Sequence, residues 1–396
     1  MPPFLQLLLA LTIIITAAKT GGWLSQKLRQ PAVLGELLIG LLLGPSVLDL
    51  LHAQTFSDPN LPETVQHLAE LGVICLMFVA GLEIDLDEMR RTGRVSIAAG
   101  SIGVIVPLIL GTIAAVPFGY AGINALFIGI IFTATSVSIS AQTLIELGVL
   151  RSREGLALLG AAVIDDVLVI LLLSIFTALT GGNGGGVEVL ATLIKMALYL
   201  TATALIGLFI LPRIASWIHR QPISEGLIAL VLVAAMSFAW SAEVIGGLAA
   251  ITGAFIAGVG LARSPLRTEI ERGMHTITYA LLVPIFFVSI GLQANARLIT
   301  ANDLPFALIT IAVAIASKII GAGLGARWGG FTARESLRVG VGMVSRGEVG
   351  LIVAGVGIGA GLIAQDTFAI VVIVVLITTL VTPLLLRWAY RTPRRR

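Results

Sequence analysis

The sequence predicts an all-α polytopic membrane protein with 13 transmembrane helices, its N-terminus outside and its C-terminus inside. Three observations carry the prediction. Only 12% of the 396 residues are charged, 57% are hydrophobic and mean hydropathy is +1.03, whereas a soluble domain carries roughly a quarter of its residues as charges. Apolar runs of about 20 residues, long enough to cross a hydrocarbon core, recur from end to end. Basic residues crowd into alternate loops between those runs, a signal separate from hydropathy.

In chain order the segments fall near 4–25, 32–51, 64–83, 95–116, 122–145, 155–180, 187–211, 223–241, 244–262, 274–293, 303–325, 336–360 and 367–389. No positive charge precedes the first, and Lys19, Lys27 and Arg29 follow it. That order does not suit a cleaved leader, so the segment is read as a retained span. Loops on one side hold Arg90, Arg91 and Arg94, Arg151 and Arg153, Arg213 and Arg220. The series continues through Arg263, Arg267 and Arg272, Arg327, Arg334 and Arg338, to Arg387 and the C-terminal arginines. Together they make 21 of the 25 basic residues, against Arg297 alone in the opposite loops. Basic loops stay in the cytoplasm, which orients the chain and implies an inner (plasma) membrane location facing lipid. The tail after Tyr390 reads as part of that anchor, not as a nucleic-acid site. Gly181–Gly186 reads as a flexible outer loop. The lone cysteine, Cys75, lies in an apolar run, which leaves it a small core residue.

A short internal repeat adds topology. The third segment ends Phe78-Val79-Ala80-Gly81-Leu82-Glu83-Ile84-Asp85. The tenth ends Phe287-Val288-Ser289-Ile290-Gly291-Leu292-Gln293-Ala294-Asn295. With one residue inserted, Phe-Val, Gly-Leu and two acid-or-amide positions align, and the two glycines are 210 residues apart. Seven spans separate the copies, so they cross the membrane in opposite senses. Segments 1–6 then correspond to 8–13, with segment 7 as linker. Inverted repeats place a transporter's site near midplane, where the halves meet.

The candidate site residues are charges stranded in apolar runs. Asp165 and Asp166 lie mid-way through the sixth segment, where each charge costs at least about 2.5–3.5 kcal/mol on insertion scales. Successive helical residues point about 100° apart, so the two carboxylates face different partners. Lys318, central in the eleventh segment, is the candidate cation for one of them, whereas Lys195 sits nearer a span end and reads as snorkelling. Arg346 and Glu348 are placed close to the cytoplasmic end of the twelfth segment, as a local salt bridge or a funnel lining. The fifth segment carries Thr133, Thr135, Ser136, Ser138 and Ser140, hydroxyls that loosen a helical ladder. The twelfth carries Gly347, Gly350, Gly355, Gly357, Gly359 and Gly361, which suit either a break or close packing. The repeat offset maps Ser136 onto Arg346, so two broken, crossing helices are expected near midplane.

Several motifs together resemble a known family. They are Pro31-x-x-x-Gly35-Glu36-x-x-x-Gly40-x-x-x-Gly44-Pro45, Phe78-x-x-Gly81-Leu82-Glu83, Thr135-Ser136 with Glu146-x-Gly148-x-Leu150, Asp165-Asp166 and Arg346-Gly347-Glu348. Over nearly the whole chain they resemble the monovalent cation:proton antiporter-2 family. The Asp pair with a lysine in the eleventh span is similar to its NapA-type sodium/proton exchangers, with an NhaA/NapA-like fold. The potassium-efflux branch usually has Gln-Asp there and adds a cytosolic nucleotide-binding domain, which this sequence lacks. The resemblance implies a homodimer. Residues 1–90 and 216–296 would form a dimer-side scaffold, 183–215 the linker helix, and 91–182 and 297–396 a core that moves like an elevator. It also implies that Asp166 binds the transported cation and Asp165 pairs with Lys318. No cofactor is implied beyond Na+ or Li+ and H+ as cargo.

The residues argue for exchange on their own account. A desolvated carboxylate resists standing bare, so it holds either a proton or a cation. If the core reorients only when that charge is neutralised, the two ions travel in opposite directions. Oxygen ligands suit hard cations without separating Na+, Li+ and K+. A K+/H+ antiporter, or a sodium-coupled symporter of an organic solute, is the alternative. An intramembrane aspartyl protease needs acids facing one another, which neighbours on one helix do not. A potassium channel needs a carbonyl filter sequence that is absent, and the glycines lack the strand–turn–helix context of a dinucleotide site.

Overall fold

The computed structural model describes residues 1–28, 30–83, 86–179, 186–293, 297, 303–359 and 361–391. These residues are helical, with no strand among them. In order the helices are α1 (Pro3–Lys27), α2 (Ala32–Leu43), α3 (Leu61–Leu82), α4 (Leu86–Ala115), α5 (Gly122–Ile131), α6 (Val137–Glu146), α7 (Arg153–Leu179), α8 (Gly186–Leu205) and α9 (Leu211–His219). They continue as α10 (Gly226–Ser241), α11 (Ala250–Leu261), α12 (Arg267–Ile277), α13 (Val283–Leu292), α14 (Leu304–Trp328), α15 (Ala333–Gly342), α16 (Glu348–Gly359) and α17 (Gln365–Tyr390). Among the described residues nine helices are long and apolar enough to cross a membrane, and Ala32–Leu43, Gly122–Ile131 and Ala250–Leu261 are shorter apolar helices. The fold is therefore an all-helical polytopic membrane fold.

Helix ends differ from the apolar runs where local chemistry intervenes. The second run was expected to reach residue 51, but α2 stops at Leu43 because Gly44-Pro45 follows. Proline has no N–H to donate and disfavours helix in the residue before it. In the other direction α8 runs through a π-helical turn (Ile206–Ile210) into α9, eight residues beyond the predicted segment. Side chains turned outward are those of a lipid-facing surface: Leu8 and Trp23 on α1, and Ile105, Ile109 and Ile113 one turn apart on α4. Hydrocarbon contacts such side chains without penalty, while the helical ladder satisfies the backbone.

The described chain forms two compact units. One comprises Met1–Val65, Arg91–Val169 and Phe287–Arg396, the other Gln66–Arg90 and Ile170–Phe286. The core of the second is built from Cys75, Phe78 and Leu82 of α3, Val231 and Ala235 of α10, and Ala254, Ala257 and Leu261 of α11. Cys75 is fully covered there, as a small core residue.

Equivalent close contacts occur in the two units at the repeated motif. In the second unit a Cβ on Gly81 would lie 2.2 Å from Phe255 O, and one on Gly258 would lie 2.1 Å from Phe78 O. In the first, a Cβ on Gly291 would lie 2.2 Å from the carbonyl carbon of Gly40, and one on Gly40 would lie 2.3 Å from Val288 O. Third segment packs on ninth, and tenth on second. These would be corresponding partners if segments 1–6 matched 8–13. Only glycine admits backbones this close. The motif residues Ile84, Asp85, Ala294 and Asn295, and residues 181–185 of the expected outer loop, lie outside the described residues.

Candidate functional site

Two helices are interrupted in the first unit. The fifth predicted segment is split into α5 and α6 by Phe132–Ser136, and the twelfth into α15 and α16 by Met343–Gly347. A break frees N–H and carbonyl groups that a continuous helix would pair. The two breaks satisfy one another. Ser136 N–H donates to Ser345 O at 2.9 Å, the Ser345 hydroxyl donates to Ser136 O, and Ser140 Oγ donates to Gly342 O at 2.5 Å. Gly347 is required for this approach, because a Cβ there would lie 2.5 Å from the Ser136 Cβ.

The polar run of the fifth segment is buried at this junction. Thr133, Ser136 and Ser138 are fully covered and Thr135 nearly so. Thr133 Oγ1 donates to Ile130 O at 2.6 Å, Thr135 Oγ1 to Thr133 O at 3.5 Å, and the Ser136 and Ser138 hydroxyls lie 3.0 Å apart. Hydroxyls that bond the local backbone compete with the helical ladder, which is why the break falls here. In the twelfth segment the break precedes most of the glycines. Gly350 and Gly355 lie inside α16, Gly357 packs on the Phe127 ring, and Gly361 adopts φ +68° beyond the helix end. Of these glycines Gly357 serves packing and Gly361 termination, while Gly350 and Gly355 have no close neighbour among the described residues.

Beside the junction lie the stranded charges. Lys318 of α14 and Asp165 of α7 are both fully buried, and Lys318 Nζ donates to Asp165 Oδ1 at 2.6 Å. Asp166, one residue on, is 6% exposed. Lys318 is within electrostatic reach of Asp165, Asp166 and Arg346. Burying an ion pair carries a desolvation penalty that rivals its Coulomb attraction, so such a pair is weak evidence for stability. It suits a contact that opens and closes.

The sequence put Arg346 close to the cytoplasmic end of its segment and, by the repeat offset, at the place equivalent to Ser136; it lies within the break and is 2% exposed. Its Nη1 donates to Ala134 O at 2.7 Å and Thr133 O at 3.4 Å, and its Nη2 to Ala314 O at 3.1 Å. The first two carbonyls follow the C-terminus of α5, the negative end of that helix dipole, and Ala314 is one turn before Lys318. Interior carbonyls, not water, satisfy the guanidinium. The side chain of Glu348 lies outside the described residues, so its part in either reading of the pair, local salt bridge or funnel lining, does too. Two buried polar atoms here, Asp165 Oδ2 and Arg346 Nε, have no hydrogen-bond partner among the described residues.

Other contributors carry little sequence signal. Ser345 is read from structure alone, as are Thr378 and Thr379 of α17, which bond the Arg346 backbone. Two motif glutamates also converge: Glu146 accepts the N–H of Ala32 at 2.6 Å and of Val33 at 3.3 Å, one turn from Glu36 of α2. The site brings two carboxylates, Asp165 and Asp166, beside the junction, oxygen groups of the kind that suit a hard cation. Among the described residues no group of three or more His, Cys, Asp or Glu is arranged to hold a resident metal.

Comparison with known proteins gives a consistent picture. Residues 13–391 match the family described as "Sodium/hydrogen exchanger, transmembrane". The chain is 40% identical over 380 residues to the "Na(+)/H(+)-K(+) antiporter GerN" of Bacillus cereus, covering 96% of this chain and 95% of that protein. It is 36% identical over 379 residues to a "Na(+)/H(+) antiporter" of Enterococcus hirae, covering 96% of each. Among solved structures it shares the fold of the sodium proton antiporter MjNhaP1 of Methanocaldococcus jannaschii, with TM-score 0.71, 19% identity and 98% of each chain covered.

Proposed function

The chain belongs to the transmembrane sodium/hydrogen exchanger family, and from that premise we propose that it exchanges Na+ or Li+ for H+ by alternating access. The observation that carries the reading is the buried Lys318–Asp165 pair, 2.6 Å long, with Asp166 beside it. Asp166 holds the cation or a proton. Asp165 holds Lys318 when the cation is absent and releases it when the cation arrives. Arg346 neutralises the carbonyl ends at the junction, Thr133, Thr135, Ser136 and Ser138 keep the break in place, and Glu348 is the further supporting residue the sequence offers there. Every step is ion binding and movement, and none needs a cofactor.

The larger arrangement follows from the same reading. The 13 helical segments form inverted repeats with two crossing broken helices, the N-terminus outside and the C-terminus in the cytoplasm of a plasma membrane. Support comes from the one-sided basic loops and from the matched glycine contacts of Gly81 and Gly291. Residues 91–182 and 297–396 move as the core against a scaffold of 1–90 and 216–296, with 183–215 as linker. A protease or reporter tag after Arg391 is expected to be accessible only from the cytoplasmic side, and outside access would overturn the orientation. Two copies form the working unit, and a single-chain mass by light scattering in detergent would remove the dimer.

A potassium reading is favoured by one observation, the "Na(+)/H(+)-K(+)" in the name of the Bacillus cereus relative. Proteoliposomes separate the possibilities. Adding Na+ or Li+ is expected to drive proton movement without any organic solute. Movement with K+ alone would establish the potassium reading, a requirement for an organic solute would establish symport, and no movement with any ion would defeat exchange.

A further inference from the structure

We infer that Thr379, with Thr378, is a positioning residue for the exchange site: this pair on α17 holds the Arg346 peptide within the break and so sets where its guanidinium lies. The inference rests on the exchange reading above, and its ground is what satisfies the freed backbone of Met343–Gly347. On one side Ser136, the residue before α6, donates its N–H to Ser345 O, and Ser140 of α6 caps Gly342 O at the end of α15. On the other side α17 supplies two adjacent hydroxyls. Thr379 Oγ1 donates to Arg346 O at 2.8 Å, and Arg346 N–H donates to Thr378 Oγ1 at 3.3 Å. Both threonines are fully buried.

The geometry assigns each a different weight. Arg346 O has lost its helical donor and receives the Thr379 hydroxyl. Thr378 also donates to Val374 O and Val375 O of its own helix, and its bond to Arg346 is the longer one. Thr379 therefore dominates. From the backbone so fixed, the Arg346 side chain spans to Thr133 O and Ala134 O at the end of α5 and to Ala314 O on the helix of Lys318. Movement of the Arg346 peptide shifts a full positive charge relative to Asp165, on which Arg346 acts electrostatically. A buried carbonyl left without a donor must move or find another partner, because an unmade buried hydrogen bond is expensive.

Thr382 provides the control. It is as buried as the other two and lies one turn on, but its hydroxyl donates to Thr378 O within α17 and has no bond to the break. Thr379→Val keeps shape and apolar volume and removes the donor. Purified variants in proteoliposomes are expected to show the half-saturating Na+ concentration raised several-fold in Thr379→Val, raised less in Thr378→Val, and restored to the wild-type value in Thr379→Ser. Thr382→Val is expected to match wild type. Rates are taken per folded protein, with folding measured by melting in detergent, so loss of material does not imitate loss of position. If Thr379→Val fails to fold, Thr379→Ser and Thr379→Ala carry the comparison, Ala being the variant expected to shift. An unchanged half-saturating Na+ in folded Thr379→Val or Thr379→Ala, or an equal shift in Thr382→Val, would overturn the inference while exchange itself stands. Failure of the wild type to move protons with any of Na+, Li+ or K+ would instead overturn the exchange reading.

Discussion

Asp166→Asn is expected to give a folded protein whose cation-driven proton movement falls by at least about 100-fold, to the level of protein-free liposomes. Asparagine matches aspartate in size, and Asp166 is almost fully covered, so packing changes little. The charge is what disappears. A carboxylate alternates between proton and cation, whereas an amide takes neither, and a lost hydrogen bond to a charged group is worth roughly 1.5–3 kcal/mol even before coupling is considered. Binding gives a second readout independent of transport. A ligand at 100 times its Kd stabilises the folded state by about 2.7 kcal/mol. Wild type is expected to melt at higher temperature in Na+ than in an impermeant organic cation, and Asp166→Asn to show no such gain. Sodium-dependent stabilisation in the asparagine variant would place the cation elsewhere, with Asp165 the first alternative.

Some of this site is legible in the sequence and some is not, for physical reasons that differ by residue. Asp165, Asp166 and Lys318 announce themselves because hydrocarbon tolerates no idle charge. That an acid of α7 meets the lysine of α14, 153 residues away, follows from the same penalty, since each needs the other. Which of the two aspartates takes the lysine does not follow from a 100° rotation, and the structure assigns it to Asp165. The break in the fifth segment is legible in the run from Thr133 to Ser140, where hydroxyls compete for backbone partners. The break in the twelfth is legible only through the repeat, whose 210-residue offset carries Ser136 onto Arg346, because five of the six glycines lie downstream and draw attention away from it. What opens that helix is a tertiary match: Ser345 to Ser136, Arg346 to the end of α5, and Gly347 leaving room for Ser136. Threonines such as Thr378 and Thr379 look like ordinary members of an apolar helix. Their partners lie on another element, and composition records no partners.

Replacing Lys318 by glutamine is expected to remove the electrical signature of exchange. In the proposed cycle the Lys318–Asp165 pair opens when Na+ arrives, and a buried ammonium without its counter-charge gives up its proton, because desolvation disfavours the charged form. The proton is regained when the pair closes. Exchange then moves two protons against one Na+, one net charge, worth about 2.3 kcal/mol per 100 mV of membrane potential. Glutamine carries no such proton. Exchange through Asp166 should persist at a lower rate, with currents on a solid-supported membrane falling to background and no response to an imposed potential. Stability needs separate care: removing one partner of a buried pair costs about 3–5 kcal/mol, since the other charge is left uncompensated. The double variant Asp165→Asn/Lys318→Gln removes both charges and avoids that penalty, so it serves if the single variant does not fold. A lysine with only a structural role predicts the opposite pattern, lower melting temperature but full current per transported ion. Wild-type current per ion from either folded variant would end the proton-carrier role of Lys318 and leave the pair as a structural contact.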